Sequence, residues 1–200
     1  MKRRALTSVL VLASIGVLLQ ARASAEVLDR ISAVIDNTFI ITLSDIRKER
    51  AIQTALGSKP GQDGEILDAL IERRLIDVQV SQYREIEIDN AAVEARLASI
   101  GSPRDISRAE LRDAVAGELR RFEFLVQRFR QFIRVTDEEA RRYFEDVVAP
   151  ELRSKGAPIP ATEEGIALAR SNVIAEKMNQ EVSEWLGELR RRSNVEKITQ

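Results

Sequence analysis

The sequence predicts a mainly α protein: a helical core with a short N-terminal β-hairpin and a C-terminal strand available to pair with it. Three observations predict this. Aromatic residues make up only 4% of the 200 residues, with 9 Gly and 5 Pro, and the remainder leans on Ala, Leu, Glu and Arg, which are strong helix formers. Apolar residues recur at steps of three and four behind Ser, Thr or Asp caps. One early stretch alternates with period two instead and is broken by an Asp-Asn turn. Hydrophobic content of 44% against 32% charged is enough to build a core.

Residues 1–25 stand apart. Lys2, Arg3 and Arg4 precede an apolar run, Ala5 to Leu19, that is short for a membrane span. Ala23-Ser24-Ala25 then supplies a small-residue cleavage pattern. The expectation is a secretory signal peptide cut after Ala25, which places the chain in the periplasm with no stable membrane insertion. Residues 26–200 then form a single domain. Cleavage removes Lys2, Arg3, Arg4 and Arg22 and no acid, so the mature chain is more acidic than the formal net charge of −1. That balance argues against nucleic acid as a partner. With 0 Cys, neither a disulfide nor a lipidated cysteine is available.

Ile31, Ala33 and Ile35 alternate with Ser32 and Val34; Asp36-Asn37 turns the chain and Phe39-Ile40-Ile41 returns. Thr42, with Asp45 three residues on, caps a helix to about Leu56. Gly57, Pro60, Gly61 and Gly64 make a loop. A second helix runs from about Glu65 to Tyr83 and buries Leu67, Ile71, Leu75 and Val78. Ile86-Glu87-Ile88 is a brief extended piece, and Asp89 caps a third helix ending near Ile100, with Gly101 beyond it.

The longest marked helix follows. Ser107 and Glu110 form a capping box, and Leu111, Val115, Leu119, Phe122, Val126, Phe129 and Ile133 draw one stripe along it. At 1.5 Å per residue it is about 40 Å long. Phe124 falls on its other side, among Arg120, Gln127, Arg128 and Gln131. A helix apolar on more than one side needs a neighbour or a ligand to cover it. Glu118 falls inside the stripe and is expected at its exposed edge. Thr136 and Glu139 form another box, starting a helix with Tyr143, Phe144 and Val147. Residues 154–161, with Gly156, Pro158 and Pro160, read as a linker. The closing helix spans about 162–192, with Leu168, Ser171, Ala175, Met178, Val182, Trp185 and Leu189 as a heptad seam. Asn194 ends it, and Val195 to Ile198 read as a short strand.

The chemistry-bearing side chains exclude several classes. The chain has 0 His and 0 Cys, so imidazole bases, thiolate nucleophiles and ordinary zinc sites are excluded. No Walker-type phosphate loop is present. Asp137-Glu138-Glu139 and Glu163-Glu164 sit where helices begin and are read as charges favouring the helix dipole rather than as an acid–base pair. No catalytic residue, cofactor site or metal site is assigned. Arg120-Arg121, Arg128, Arg130, Arg134 and Arg190 to Arg192 read as solvated helix faces, with an anionic surface as the competing reading.

Taken in order, three segments resemble one family. They are Leu28 to Asn37 followed by Leu43-Ser44-Asp45-Ile46; Leu70 to Ile76 followed by Ile86-Glu87-Ile88-Asp89; and Val135 to Phe144. Together they resemble the N-terminal domain of the SurA-like periplasmic chaperones, a domain also similar to the C-terminal part of trigger factor. Trp185 to Arg190, then Val195 to Ile198, look like that family's closing helix and strand. The resemblance implies an ATP-independent holdase that binds unfolded or partly folded outer-membrane and other secreted polypeptides. It also implies that the last helix and strand complete the domain begun at the N-terminus. Relatives insert parvulin-type isomerase domains before the closing helix, whereas here that position holds only residues 154–161, so no isomerase activity is expected. They also often carry a Gly just before the short Ile-x-Ile piece, where this chain has Arg84-Glu85.

The candidate client-binding surface is Phe122, Phe124, Phe129, Phe132, Tyr143 and Phe144. Phe122 and Phe129 lie mid-stripe, where ordinary core competes with that role. Phe124, with polar neighbours on its own helix, is equally placed for client or core. Two other readings stand beside the chaperone. One is a structural or assembly subunit whose apolar surface is covered by a fixed partner or a homodimer. The other is a diverged peptidyl-prolyl isomerase.

Overall fold

The structure is a computed structural model and describes residues 29–83, 86–100, 103 and 105–198. The expected signal peptide, the Arg84-Glu85 departure and Gly101 lie outside the described residues. The fold is mainly α, with one small antiparallel sheet.

Strands β1 (Ile31–Ile35) and β2 (Phe39–Thr42) form the hairpin. Asp36 and Asn37 have φ of 49° and 53°, the left-handed pair that Asn and Asp tolerate and that matches strand twist. The Thr38 amide donates to the Ile35 carbonyl at 3.0 Å across that turn. Strand β3 (Val195–Lys197) pairs antiparallel with β1, giving the order β2-β1-β3. Asp36 fastens the chain's end. Its amide donates to the Asn194 carbonyl at 2.8 Å, and its carboxylate accepts the Asn194 amide at 2.7 Å.

The helices are α1 (Leu43–Ala55), α2 (Asp63–Ser81), α3 (Asn90–Ala98), α4 (Arg108–Phe129), α5 (Asp137–Tyr143), α6 (Ala149–Ser154) and α7 (Thr162–Arg192). A π-helical segment, Phe144–Val148, joins α5 to α6. The caps read from the sequence are in place: Thr42 with Asp45, Ser107 with Glu110 and Thr136 with Glu139 close reciprocal boxes, and Asp89 accepts the Ala91 amide. Each leaves fewer amides unpaired at a helix start. Gly57 ends α1 at φ 82°. Its amide and that of Ser58 donate back to Thr54 and Gln53, the paired bonds of a left-handed helix stop.

Apolar side chains gather in separate cores. Ala33, Ile35 and Ile41 of the sheet meet Ile71 and Leu75 of α2, with Leu189 and Val195 packed alongside. Val93 and Leu97 of α3 meet Leu111 and Val115 of α4. Phe144, Val148 and Ala149 meet Ala169 of α7. Helix α7 therefore reaches the first core at Leu189 and the third at Ala169, about 30 Å apart along its axis.

Two expectations are corrected. Helix α4 is 22 residues long, about 33 Å, and gives way to a 3₁₀ turn, Arg130–Phe132, instead of running to Ile133. Past that turn the chain is strapped to α7: Lys177 Nζ donates to the Arg134 carbonyl at 2.9 Å and Arg170 Nη1 to the Val135 carbonyl at 2.8 Å. In α7 the early seam is rotated. Leu168, Ser171 and Ala175 are exposed, while Gly165, Ala169 and Val173 are buried. The Phe144 ring abuts Gly165, where a Cβ would collide with it, so the small residues and not the heptad positions set the contact face. Met178, Val182, Trp185 and Leu189 stay half-buried along the later seam.

One charge is buried by design of its neighbours. Glu49 of α1 is 3% exposed and takes both guanidinium arms of Arg73 in α2, at 2.5 and 2.7 Å. Gln53 Nε2 donates to it at 3.1 Å. A bidentate, charge-assisted pair of this kind offsets the desolvation of its carboxylate.

Candidate functional site: an aromatic cleft beside helix α4

The C-terminal half of α4 crosses the end of α2 and the later part of α7, and aromatic rings fill the crossing. Phe124 is 1% exposed and stands edge-on to Tyr83 at 5.0 Å and tilted to Trp185 at 5.9 Å. Trp185 also meets the edge of Phe129 at 5.5 Å. Edge-to-face pairs of this kind contribute about 0.5–1.5 kcal/mol each beyond their buried area. Arg128 threads among the rings: its Nη1 donates to the Tyr83 hydroxyl at 3.1 Å, and its guanidinium carbon lies 5.1 Å from the Trp185 centroid.

The rings do not seal the crossing. A cleft of about 480 Å³ remains between Tyr83, the end of α4, the 3₁₀ turn and Glu181 of α7. Its apolar walls are Tyr83, Phe129 and Phe132; Gln127, Gln131, Arg128 and Glu181 supply donors and acceptors between them. Tyr83 is 47% exposed and Phe132 70% exposed. The mixture suits an extended chain, whose side chains need apolar walls and whose backbone needs polar partners.

The six candidate residues are dispersed. Phe129 and Phe132 line the cleft. Phe124 lies beneath it, buried, which corrects the expectation that its polar neighbours could leave it open. Phe122, by contrast, is 63% exposed. The two sit about 200° apart around the helix, and the partner changes along α4: the first half packs its Leu111 and Val115 side on α3, the second its Phe124 side on Tyr83 and Trp185. Along the stripe past Val115, Leu119 still packs on the α3–α4 core and Phe129 is buried against Trp185, while Phe122 between them is left uncovered. Tyr143 and Phe144 belong to the third core, where the Tyr143 hydroxyl donates to the Glu176 carboxylate. That bond raises the tyrosine's pKa above its ordinary value.

Tyr83, Arg128, Trp185 and Glu181 complete the site, and sequence reasoning assigned none of them to it. Tyr83 reads only as a helix end, and Trp185 as a seam position within the closing-helix resemblance. An aromatic just past a helix terminus is the one available hint. Of the remaining arginines, Arg121 pairs with Asp77, Arg190 with Asp68 and Glu72, and Arg192 with Glu188. Glu118 is exposed, as expected.

Among the described residues no cluster of three or more Asp, Glu, His or Cys is placed to hold a metal ion, and no helix is long and apolar enough to cross a membrane. No protein-family model matches the chain, and the search of curated proteins finds no match.

Proposed function

We propose that the chain is an ATP-independent holdase of the SurA-like type, acting in the periplasm on unfolded outer-membrane or other secreted polypeptides. The observation that carries this reading is the open aromatic cleft beside α4, with Phe132 and Tyr83 presented to solvent at its rim. The resemblance described above supplies the class of client. Two or three client side chains entering the cleft would contribute about 1.5–3 kcal/mol each, against about 2–5 kcal/mol to order the segment that carries them. The balance gives micromolar or weaker binding. Weak capture suits a carrier without an ATP cycle, because the client leaves once folding hides its apolar groups.

Light scattering of a chemically unfolded outer-membrane protein diluted into buffer tests the reading. The chain at several-fold molar excess is expected to slow aggregation, and Phe132→Ser to lose much of that protection. No slowing by the unaltered chain contradicts the proposal. The exposed Phe122 favours one second reading, a surface covered by another copy of the chain. A stable dimer in size-exclusion mass measurement, dissociated by Phe122→Ser, would support it.

A further inference from the structure

We propose that the outer edge of β2 docks an extended polypeptide strand bearing a carboxylate side chain, with the Ile40 backbone pairing to it and Arg74 taking the carboxylate. This surface is separate from the aromatic cleft and does not depend on it.

The edge can be read from hydrogen-bond direction. Along β1, Ser32 accepts from the Ile198 amide at 2.9 Å and the Asp36 amide donates to Asn194, so even-numbered residues turn their backbone groups towards β3. Ala33 and Ile35 therefore face β2. Val34 pairs with Ile40 in register, and that pair exchanges no bonds, which leaves the Ile40 amide and carbonyl pointing outward. The next outward amide, of Thr42, is occupied by the Asp45 carboxylate at 2.8 Å. A cleft of about 480 Å³ runs along this edge, and the consecutive residues Thr38, Phe39, Ile40 and Ile41 all line it. A sheet face would contribute alternate residues; an unbroken run marks the strand's edge.

Charge selects the occupant. Across the cleft Lys48 pairs with Glu110 at 2.9 Å, Arg73 with Glu49, and Asp77 with Arg121 at 3.2 Å, while the Asp45 carboxylate has no ion pair among the described residues and accepts from the Thr42 amide and hydroxyl. Arg74 is left: among the described residues it has no ion pair and no hydrogen bond, and its Nε is buried without a partner. Its guanidinium carbon sits 3.6 Å over the Phe39 ring, one residue from the outward backbone of Ile40. A half-buried guanidinium held over a ring is already positioned to grip a carboxylate with its free arms. The chain's net charge of −1 gives an acidic segment no general attraction, so preference for one must come from this site. Strand addition at a sheet edge supplies the rest of the recognition.

The test uses the full chain and a short labelled Val/Thr peptide with one central Glu, beside the same peptide with Gln there and one with a methylated backbone nitrogen. In fluorescence anisotropy the Glu peptide is expected to bind at least about tenfold tighter than either control. The Ile40 amide should exchange more slowly when it is bound, while emission from Trp185, the single tryptophan, stays unchanged. Arg74→Gln should abolish the preference for Glu over Gln. No binding, equal affinities for the three peptides, unchanged Ile40 exchange, or a Trp185 shift placing the peptide in the aromatic cleft overturns the proposal. Because Arg74 stacks on Phe39, that variant could misfold; the exchange measurement on the unaltered chain decides in that case.

Discussion

Two phenylalanines eight positions apart on the same stretch of chain do opposite things. Phe124, buried between Tyr83 and Trp185, is structural: Phe124→Ala should cost about 3–5 kcal/mol in denaturant unfolding. Phe132, open to solvent, should tolerate Ser within about 0.5 kcal/mol while losing client protection. A stability loss for Phe132→Ser matching that of Phe124→Ala would show the rim is core. At the same scale, the Glu110 carboxylate is held from its ordinary 4.5 down to about 2, chiefly by Lys48 and then by Ser107. A depressed carboxylate contributes stability that is present above its unfolded value and lost as pH falls towards the folded one. Its contribution therefore fades from near pH 4.5 to about pH 2, and Lys48→Ala should raise the midpoint seen in an NMR titration of Glu110. An unmoved midpoint would show that the lysine is not the cause.

Capped helix starts and the hairpin turn were legible because each depends on local chemistry. The Thr42, Ser107 and Thr136 boxes and the Asp36-Asn37 turn need only neighbours in sequence, and all are found as read. Which face a helix buries depends on its partner, and there periodicity fell short. In α4 the partner changes midway, so one continuous stripe yields a buried Val115 and an exposed Phe122. In α7 the Gly165–Ala169 face wins over the heptad because the Phe144 ring can approach as closely as it does only where Gly165 offers no Cβ. Gly165→Val should accordingly loosen α5 and α6 from α7, costing about 1–3 kcal/mol by forcing Phe144 away. Unchanged stability and unchanged amide exchange in α5 would refute that packing account. The C-terminal strand is likewise clamped, by Lys197 and Arg190 on Asp68 at 2.7 and 2.6 Å. These partners hold the Asp68 carboxyl below its ordinary value of 3.8. The clamp's contribution is full above that value and is lost as pH falls below it towards the lowered folded-state value, which hydrogen exchange at the β3 amides can follow.

Across the whole molecule, α7 and β3 close what the N-terminus opens. Leu189 and Val195 pack on the sheet core, Trp185 on the aromatic crossing and Ala169 on the third core. Deleting residues 161–200 therefore removes a wall from each, and the truncated chain should lose its cooperative transition; a sharp, well-populated transition would contradict this. The sequence carried the fold class and the closing role of its last segment. The site was legible only in part, as Phe129 and Phe132, because the rest of it comes from three elements meeting in space. The most direct test of the open-cleft account puts a photo-crosslinking residue at position 132 and, separately, at the exposed Val147 on the far core, each with an unfolded outer-membrane client. Strong client adducts from 132 and few from 147 are the predicted result; equal yields from both, or none from 132, would contradict it.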